Sequence, residues 1–111
     1  MPKFAAALNQ TFTALADPTR RAMVERLARG PASVTELARP LPMSLPAVVQ
    51  HLQVLEAAGL VTSEKTGRVR TCRIDPQTLG VAQDWLAQQR SVWTARFDRL
   101  DAFLMETKDD D

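Results

Sequence analysis

Apolar residues recur at intervals of three or four positions along most of the chain, which is the spacing of amphipathic helices. The first such stretch predicts a helix over residues 3–15, with an apolar stripe made of Phe4, Leu8, Phe12 and Leu15. A second stretch predicts a helix over residues 18–29, because Asp17 can cap its first turn and Pro18 fits the first helical position. The chain is therefore expected to open with two short helices.

Two further helices are predicted at close spacing. Ser33 and Glu36 have the spacing of a capping box, which predicts a short third helix that ends at the prolines following it. Ser44 suits the N-cap of a fourth helix that stops at Gly59. The apolar spacing predicts that this helix turns Leu45, Val48, Leu52 and Leu55 inward and leaves Pro46, Ala47, Val49, Gln50 and Gln53 largely outward.

After the fourth helix the pattern changes to short stretches rich in Val, Thr and Ile. Residues 60–65 and 69–74 flank Thr66-Gly67-Arg68, which predicts a two-stranded hairpin with Arg68 at its tip. Gly67 supplies the positive φ that a tight connection requires. This hairpin is the β structure that the pattern predicts.

A last helix is predicted to open at Asp75-Pro76 and to run to about Glu106. Its beginning is left open, because Gly80 weakens a helix interior by about 1 kcal/mol relative to Ala and continuous helix is expected beyond it. Residues 107–111, three of which are aspartates, are predicted to form a disordered acidic tail. Since there is no internal repeat or linker, residues 1–111 are interpreted as one domain, mainly α-helical with a small β-hairpin.

The composition excludes several classes of protein. Apolar residues make up 45% of the chain and charged residues 24%, as in ordinary globular domains. No apolar stretch approaches the roughly 20 residues that span a membrane, and the N-terminus lacks the pattern of a secretory signal. Cys72 is the only cysteine, so no disulfide can form within the chain. We therefore expect a cytoplasmic protein.

The chain carries few residues that serve catalysis. His51 and Cys72 are its only histidine and cysteine, and tyrosine is absent. No general base, nucleophile and orienting group occur in combination, so we expect no enzyme, no catalytic residue and no cofactor. His51 is interpreted as a helix-surface residue or a DNA contact, and Cys72 as a packing residue or a redox-active thiol. A binding protein is the expected class.

Positive charge is concentrated in one short segment. The net charge is +1, but residues 1–75 hold ten Lys and Arg against six Asp and Glu, whereas residues 76–111 hold four against seven. Such a cluster indicates contact with a polyanion, or else a solvated arginine-rich hairpin. No acidic residue occurs from position 65 to 74, where the excess lies at Lys65, Arg68, Arg70 and Arg73.

Helices in this order, the fourth joined to the third by a tight turn and followed by a basic hairpin, have the organisation of a winged helix-turn-helix. Short outward side chains let the fourth helix enter the major groove, which is roughly 12 Å wide, and meet base edges. The hairpin then places its arginines along phosphate or in the adjacent minor groove. Double-stranded DNA is therefore the expected partner.

Four segments share their order and spacing with a known family: LADPTRR at residues 15–21, VTELA at 34–38, PAVVQHLQVLEAAGLV at 46–61, and Gly67-Arg68. Together they resemble the ArsR-type winged-helix transcriptional repressors. The resemblance implies a homodimeric repressor that binds an imperfect palindrome and reads it with the fourth helix. Val49 stands where the family often has Ser, so the operator cannot be carried over from relatives. The resemblance puts Leu45, Pro46, Val49 and Gln50 at base-facing positions and Arg68 and Arg70 on the wing.

The residues expected to contact DNA come from the fourth helix and the hairpin. Gln50 is expected to read a base, since its amide can pair with adenine through two hydrogen bonds. Arg20 and Arg21, near the start of the second helix, are left as phosphate contacts or solvated residues. The full set is Ser44, Leu45, Pro46, Ala47, Val49, Gln50, His51, Gln53, Lys65, Gly67, Arg68 and Arg70.

The chain departs from the metal-sensing members of the family that it resembles. Residues 34–39 hold no cysteine, and the last helix has Asp84 but no histidine. A tetrahedral site cannot be built from His51 and Cys72 alone, so no metal ligand is assigned. The C-terminal run looks like that of the metal-independent branch, whose members often act as autorepressors. A metal- or redox-responsive sensor and a winged-helix protein-interaction module remain the alternatives, and the effector is unknown.

The last helix is too long to be covered by its own domain. A helix over residues 77–106 would be about 45 Å long, whereas a 100-residue domain has a radius of gyration of about 13 Å. Exposed apolar side chains along it would favour association, although about half of them could instead pack within the monomer. We expect a twofold dimer formed by the helices at 1–16 and 76–106. Its interface is expected to contain Phe4, Leu8, Phe12, Trp85, Trp93, Phe97, Leu100 and Leu104.

Overall fold

The computed structural model describes the backbone of residues 2–109 and the side chains of residues 5–106. It is mainly helical with a small antiparallel sheet, as predicted. The chain divides into two compact units, Met1–Gly80 and Val81–Asp111. The elements in chain order are α1 (Pro2–Leu15), α2 (Pro18–Leu27), β1 (Ala32–Ser33), α3 (Val34–Ala38), α4 (Leu45–Ala57), β2 (Val61–Thr66), β3 (Val69–Ile74) and α5 (Pro76–Asp109).

Side-chain caps define where the helices of the first unit begin. The Asp17 carboxylate accepts a 2.9 Å hydrogen bond from the Arg20 backbone N–H, and Pro18 occupies the first helical position. Ser33 and Glu36 form both bonds of the predicted capping box, at 3.1 and 3.3 Å. These contacts confirm the predicted starts of α2 and α3.

Gly59 ends α4 and turns the chain directly into the hairpin. Its φ of +78° allows the Leu60 N–H to bond the Leu55 carbonyl at 3.0 Å and its own N–H to bond the Glu56 carbonyl at 2.9 Å. This pair of bonds is a Schellman motif. A Cβ at position 59 would lie 3.1 Å from the Thr78 hydroxyl oxygen, in addition to the strain of the left-handed backbone. The predicted glycine stop is therefore confirmed.

The sheet has three strands in the order β1-β3-β2. The predicted hairpin is confirmed as β2 and β3, and the third strand, β1, was not predicted. The extra strand pairs Ala32 with Cys72 and Ser33 with Thr71. Two residues with small side chains carry no strand pattern of their own, and their pairing is imposed by packing beside β3. The connection between β2 and β3 is the two residues Gly67 and Arg68, with a positive φ at Gly67 alone, as in a type II′ turn.

The core of the first unit contains the inner faces of its helices and the base of the sheet. Val48, Leu52 and Leu55 of α4 are buried, as predicted. Leu45, predicted to face inward with them, is instead 53% exposed, because the first residue of α4 lies beyond the edge of the core. The buried apolar residues of the cluster are Ala14, Met23, Leu27, Ala32, Leu37, Val48, Leu52, Leu55, Leu60, Val61 and Cys72.

Helix α5 is continuous from Pro76 to Asp109, so its first turn is helical in spite of Gly80. One internal glycine costs about 1 kcal/mol, which is less than the propagation gained from the helix formers on both sides of it. The helix also includes the backbone of residues 107–109, which the sequence analysis assigned to the tail. Residues 110 and 111 lie outside the described residues.

Within the second unit, α5 carries a row of exposed apolar side chains. Trp93 is 57% exposed and its ring packs edge-on against that of Phe97, with centroids 4.8 Å apart and planes at 88°. Trp85, Leu100 and Leu104 of the predicted interface are exposed as well. In α1, Phe12 is 38% exposed and Leu8 is half-buried, while the Phe4 side chain lies outside the described residues.

Within residues 2–109, no helix is long and apolar enough to cross a bilayer.

Candidate nucleic-acid interface

The outward face of α4 is built from short or polar side chains. Pro46, Val49, Gln50 and Gln53 are exposed and Ala47 is half-buried. No acidic residue occurs in α4 before Glu56, in its last turn. A helix with this surface can approach a polyanion closely without electrostatic repulsion.

The cross-strand register shows which face of the hairpin carries the cations. Lys65 pairs with Arg70 and Ser63 pairs with Cys72 across β2 and β3. Because directly paired residues, and residues two apart on one strand, share a face of a sheet, all four lie on one face. Cys72 is fully buried on that face. Lys65 and Arg70 therefore lie beyond the edge of the core, on the face of the hairpin that packs against the helices. We call the hairpin formed by β2 and β3 the wing.

A cleft between α4 and the wing brings predicted site residues together. Val49 and Gln53 of α4 border it on one side and Arg70 of β3 on the other, with a volume of about 340 Å³. We call this space the wing cleft. Its floor and remaining walls are formed by Val34, Leu52 and Glu56.

A neighbouring cleft of about 650 Å³ extends from the wing to the end of α3. Leu45, Arg68 and Arg70 line it, so these three predicted residues also share one surface. Arg39 lines it too, although the sequence analysis did not single it out. The signal for Arg39 was weak, since a single cation at the end of a short helix is an ordinary surface residue until the fold places the wing beside it.

Arg70 is tied to α4 through a serine. Arg70 Nη1 donates to Ser63 Oγ at 2.9 Å, and Ser63 Oγ donates to Glu56 Oε1 at 2.8 Å. The three residues come from β3, β2 and the last turn of α4. Burial raises the pKa of the nearby Cys72 thiol, and the Glu56 carboxylate acts in the same direction. Cys72 itself is fully buried in the core cluster, where it packs among apolar residues.

His51 lies on the other flank of α4. At about 100° per residue, His51 and Glu56 fall on opposite sides of the stripe of Val48, Leu52 and Leu55. His51 Nδ1 is 3.2 Å from Arg20 Nη1 of α2 and 3.9 Å from an Asp17 carboxylate oxygen. With its proton on Nε2, the imidazole accepts the arginine N–H. We call Asp17, Arg20 and His51 the scaffold cluster.

Arg20 and Arg21 close the end of α1. Arg20 Nε donates to the Ala14 carbonyl at 2.7 Å and its Nη2 donates to the Thr13 carbonyl at 3.3 Å. Arg21 Nη1 donates to the Leu15 carbonyl at 2.7 Å. The Ala14 and Leu15 carbonyls are in the last turn of α1 and need partners outside the helix, whereas the Thr13 carbonyl also accepts the Ala16 N–H at 3.2 Å. The two arginines therefore stabilise the α1–α2 corner.

The Asp17 carboxylate belongs to the same corner. The Arg20 backbone N–H that it accepts lowers its pKa below the usual value, and the charge of Arg20 adds a smaller effect in the same direction.

Comparison with known proteins gives consistent results. A family described as a helix-turn-helix domain matches residues 15–64, which extend from the end of α1 into β2. The crystal structure of an ArsR family transcriptional regulator, RHA00566, is 49% identical and aligns with a TM-score of 0.76 over 79% of this chain and 97% of that one. The chain belongs to the ArsR family of transcriptional regulators.

Two relatives from Mycobacterium tuberculosis extend the match. The HTH-type transcriptional regulator Rv2034 is 55% identical over 71 residues, which are 64% of this chain and 66% of that protein. The HTH-type transcriptional repressor SmtB is 44% identical over 62 residues, which are 56% of this chain and 46% of that protein. In both cases the match spans less than two thirds of the relative.

In this ArsR family chain the predicted site residues fall into three groups. Val49, Gln53, Leu45, Arg68 and Arg70 line the two clefts. Pro46, Ala47 and Gln50 lie on the adjoining outward face of α4, and Lys65 lies beside Arg70 on the wing. Ser44 and Gly67 form a second group with local structural roles. Ser44 Oγ accepts the Ala47 N–H at 3.4 Å as the N-cap of α4, and Gly67 forms the turn of the wing. His51 is apart from both groups, in the scaffold cluster.

The contacts of His51 with Arg20 and Asp17, and those of Ser63 with Glu56 and Arg70, were missed by sequence reasoning. They join residues that are seven to 34 positions apart, and none of them belongs to a local motif. In the part of this ArsR family chain that the structure describes, no group of three or more His, Cys, Asp or Glu side chains is arranged to hold a metal ion.

Proposed function

We propose that this chain is a sequence-specific DNA-binding repressor that acts as a homodimer. Helix α4 enters the major groove, and the wing lies along the adjoining backbone. The observation that carries this proposal is the wing cleft, where Gln53 of the base-facing helix and Arg70 of the wing border the same space. A single duplex lying against this surface would meet both at once.

Base reading is assigned to the exposed middle of α4. The Gln50 amide can donate to and accept from the edge of adenine, and the methyl groups of Val49 suit contact with a thymine methyl group. Pro46 and Ala47 keep the helix slim at its N-terminal end, which is the end that recognition helices direct at base edges.

Phosphate contact is assigned to the wing. Arg68 lies at the tip of the hairpin and Lys65 faces Arg70 across the strands. Each cation that neutralises a phosphate releases a counterion, so binding by these residues weakens as salt rises. Arg39, at the edge of the neighbouring cleft, is a further candidate for such a contact.

A second copy of this chain is the proposed occupant of the exposed apolar row on α5. Trp93, Phe97, Leu100 and Leu104 recur at intervals of four, three and four, and all are about half exposed or more. Contiguous apolar surface of this kind marks an association site. A twofold dimer would present two copies of α4 to half-sites about one helical turn apart. A dimer bound to a promoter in this way would block transcription.

Two experiments test the two halves of the proposal. Selection from random duplex DNA is expected to enrich an inverted repeat whose half-site centres are about 10 base pairs apart. Size exclusion with light scattering is expected to show that the wild-type protein is a dimer at micromolar concentration. The Phe97→Glu variant is expected to be a monomer, and the control variant Asp98→Ala is expected to remain a dimer. A wild-type monomer, or an enriched sequence without twofold symmetry, would contradict the dimeric reading.

A further inference from the structure

Ser63 occupies an unusual position in the wing because its one hydroxyl is engaged on both sides. It donates its proton to Glu56 Oε1 at 2.8 Å and accepts Arg70 Nη1 at 2.9 Å. A hydroxyl has one donor and two acceptor sites, so both bonds form together. The result is a relay from the last turn of α4, through β2, to the guanidinium on β3.

Arg70 is a side chain that needs such a restraint. It is exposed, and its cross-strand partner is the cation Lys65, which repels it. An unrestrained arginine loses considerable rotamer freedom when it docks on a phosphate or a base. Ser63 engages one N–H of the guanidinium and leaves the others for a ligand.

The other wing cations lack this restraint. Among the described residues, no side-chain hydrogen bond or ion pair involves Lys65 or Arg68. At the tip of the wing and on its face toward α4 there are therefore two kinds of cation. The orientation of Arg70 relative to α4 is fixed by Ser63, whereas the orientations of Lys65 and Arg68 are not fixed.

We infer that Ser63 is a positioning residue that fixes the orientation of the Arg70 side chain relative to α4. Arg70 thereby contributes to sequence discrimination, whereas Lys65 and Arg68 contribute sequence-independent charge. This inference rests on the proposed function. Glu56 anchors the relay, and Gln53 and Arg70 face one another across the wing cleft. A duplex that presents the correct base edge to Gln53 thus meets Arg70 already in place.

The test compares binding of a selected operator and of a scrambled duplex to Ser63→Ala. Operator affinity is expected to fall about tenfold, as for loss of a hydrogen bond to a charged group, while affinity for the scrambled duplex stays within about twofold. The salt dependence is expected to be unchanged, because Arg70 keeps its charge. Ser63→Thr should restore operator affinity. Thr62→Ala, on the opposite face of β2, is the matched control and should bind as wild type.

A double-mutant cycle isolates the route through Arg70. In an Arg70→Ala background, Ser63→Ala is expected to have no further effect. The inference is overturned if Ser63→Ala weakens both duplexes equally, leaves operator affinity unchanged, or still weakens operator binding without Arg70. A wild-type protein that prefers neither duplex would overturn the proposed function and the relay together, whereas normal wild-type preference with a silent Ser63→Ala would remove the relay alone.

Discussion

The two flanks of α4 use similar residues for opposite purposes. Each flank has an acid, an arginine and a third polar residue: Asp17, Arg20 and His51 on one side, and Glu56, Arg70 and Ser63 on the other. Arg20 directs Nε, Nη1 and Nη2 at acceptors within the protein, two of them main-chain carbonyls. Arg70 has one internal partner and is otherwise exposed. The number of internal partners, rather than residue type, separates an arginine of the scaffold from one available to a ligand.

The largest effect is expected from Arg20→Ala, which removes three polar contacts at the α1–α2 corner. We expect a loss of about 3 kcal/mol in the free energy of unfolding, because the Ala14 carbonyl and His51 lose this donor and the Thr13 carbonyl keeps only the Ala16 N–H. Thermal unfolding at fixed protein concentration measures it. Arg21→Ala, which removes one contact, is the matched control and should cost about 1 kcal/mol. If Arg70→Ala lowered the free energy of unfolding as much as Arg20→Ala does, the proposed difference between the two flanks of α4 would be contradicted.

The next effect concerns base reading by α4. Gln50→Ala is expected to weaken operator binding by about 2 kcal/mol and to relax preference at one base position per half-site. Binding to scrambled DNA should be nearly unchanged, and unfolding should be as in wild type because the side chain is exposed. Fluorescence anisotropy on a panel of single-base operator variants measures both. Equal loss on every variant would show that Gln50 does not read a base.

The Arg68→Ala variant tests whether the wing contributes sequence-independent contact with phosphate. We expect weaker binding to all sequences alike, and the slope of log K against log salt should decrease by about 0.9, the value for one phosphate contact. Titrations at several salt concentrations measure this slope. A change in preference between operator and scrambled duplex, with the slope unaltered, would assign Arg68 to base reading instead.

The smallest expected effect is a loss of fold stability in acid, caused by the carboxylate of Asp17 in the scaffold cluster. The pKa of Asp17 is lowered in the folded protein, so its charge stabilises the fold above the ordinary pKa of 3.8 and this contribution is lost as pH falls through the folded value. Asp17→Asn keeps the cap without the charge. The wild type should therefore be more stable than Asp17→Asn at neutral pH. The difference should begin to shrink as pH falls below 3.8 and should vanish only when pH is below the lowered pKa of the folded protein. A difference that persists in acid would exclude a charge effect.

Local motifs account for what the sequence predicted well. Caps at Asp17, Ser33 and Ser44, the stop at Gly59 and the turn at Gly67 each act within a few residues, and the structure has all of them. The buried stripe of α4 follows from helical spacing alone. Leu45 shows the limit of that argument, because spacing gives the direction of a side chain and not whether the core extends to meet it.

Contacts between distant elements account for what was missed. The strand Ala32–Ser33 exists because β3 lies beside it, and no residue within it favours strand over loop. His51 reads as a surface residue of α4 until α2 brings Arg20 to within 3.2 Å of it. Arg70 was predicted as a wing cation, but its link to α4 depends on the diagonal arrangement of Ser63 and Arg70 across two strands.

The most direct test of the account is competition between a selected operator and a scrambled duplex of equal length for the wild-type protein, over a range of salt concentrations. We expect the operator to be preferred by roughly a thousandfold or more, and the preference to persist as salt weakens binding to both duplexes. Equal affinities with the same salt slope would show that α4 and the wing hold DNA by charge alone, and would contradict the assignment of base reading to α4.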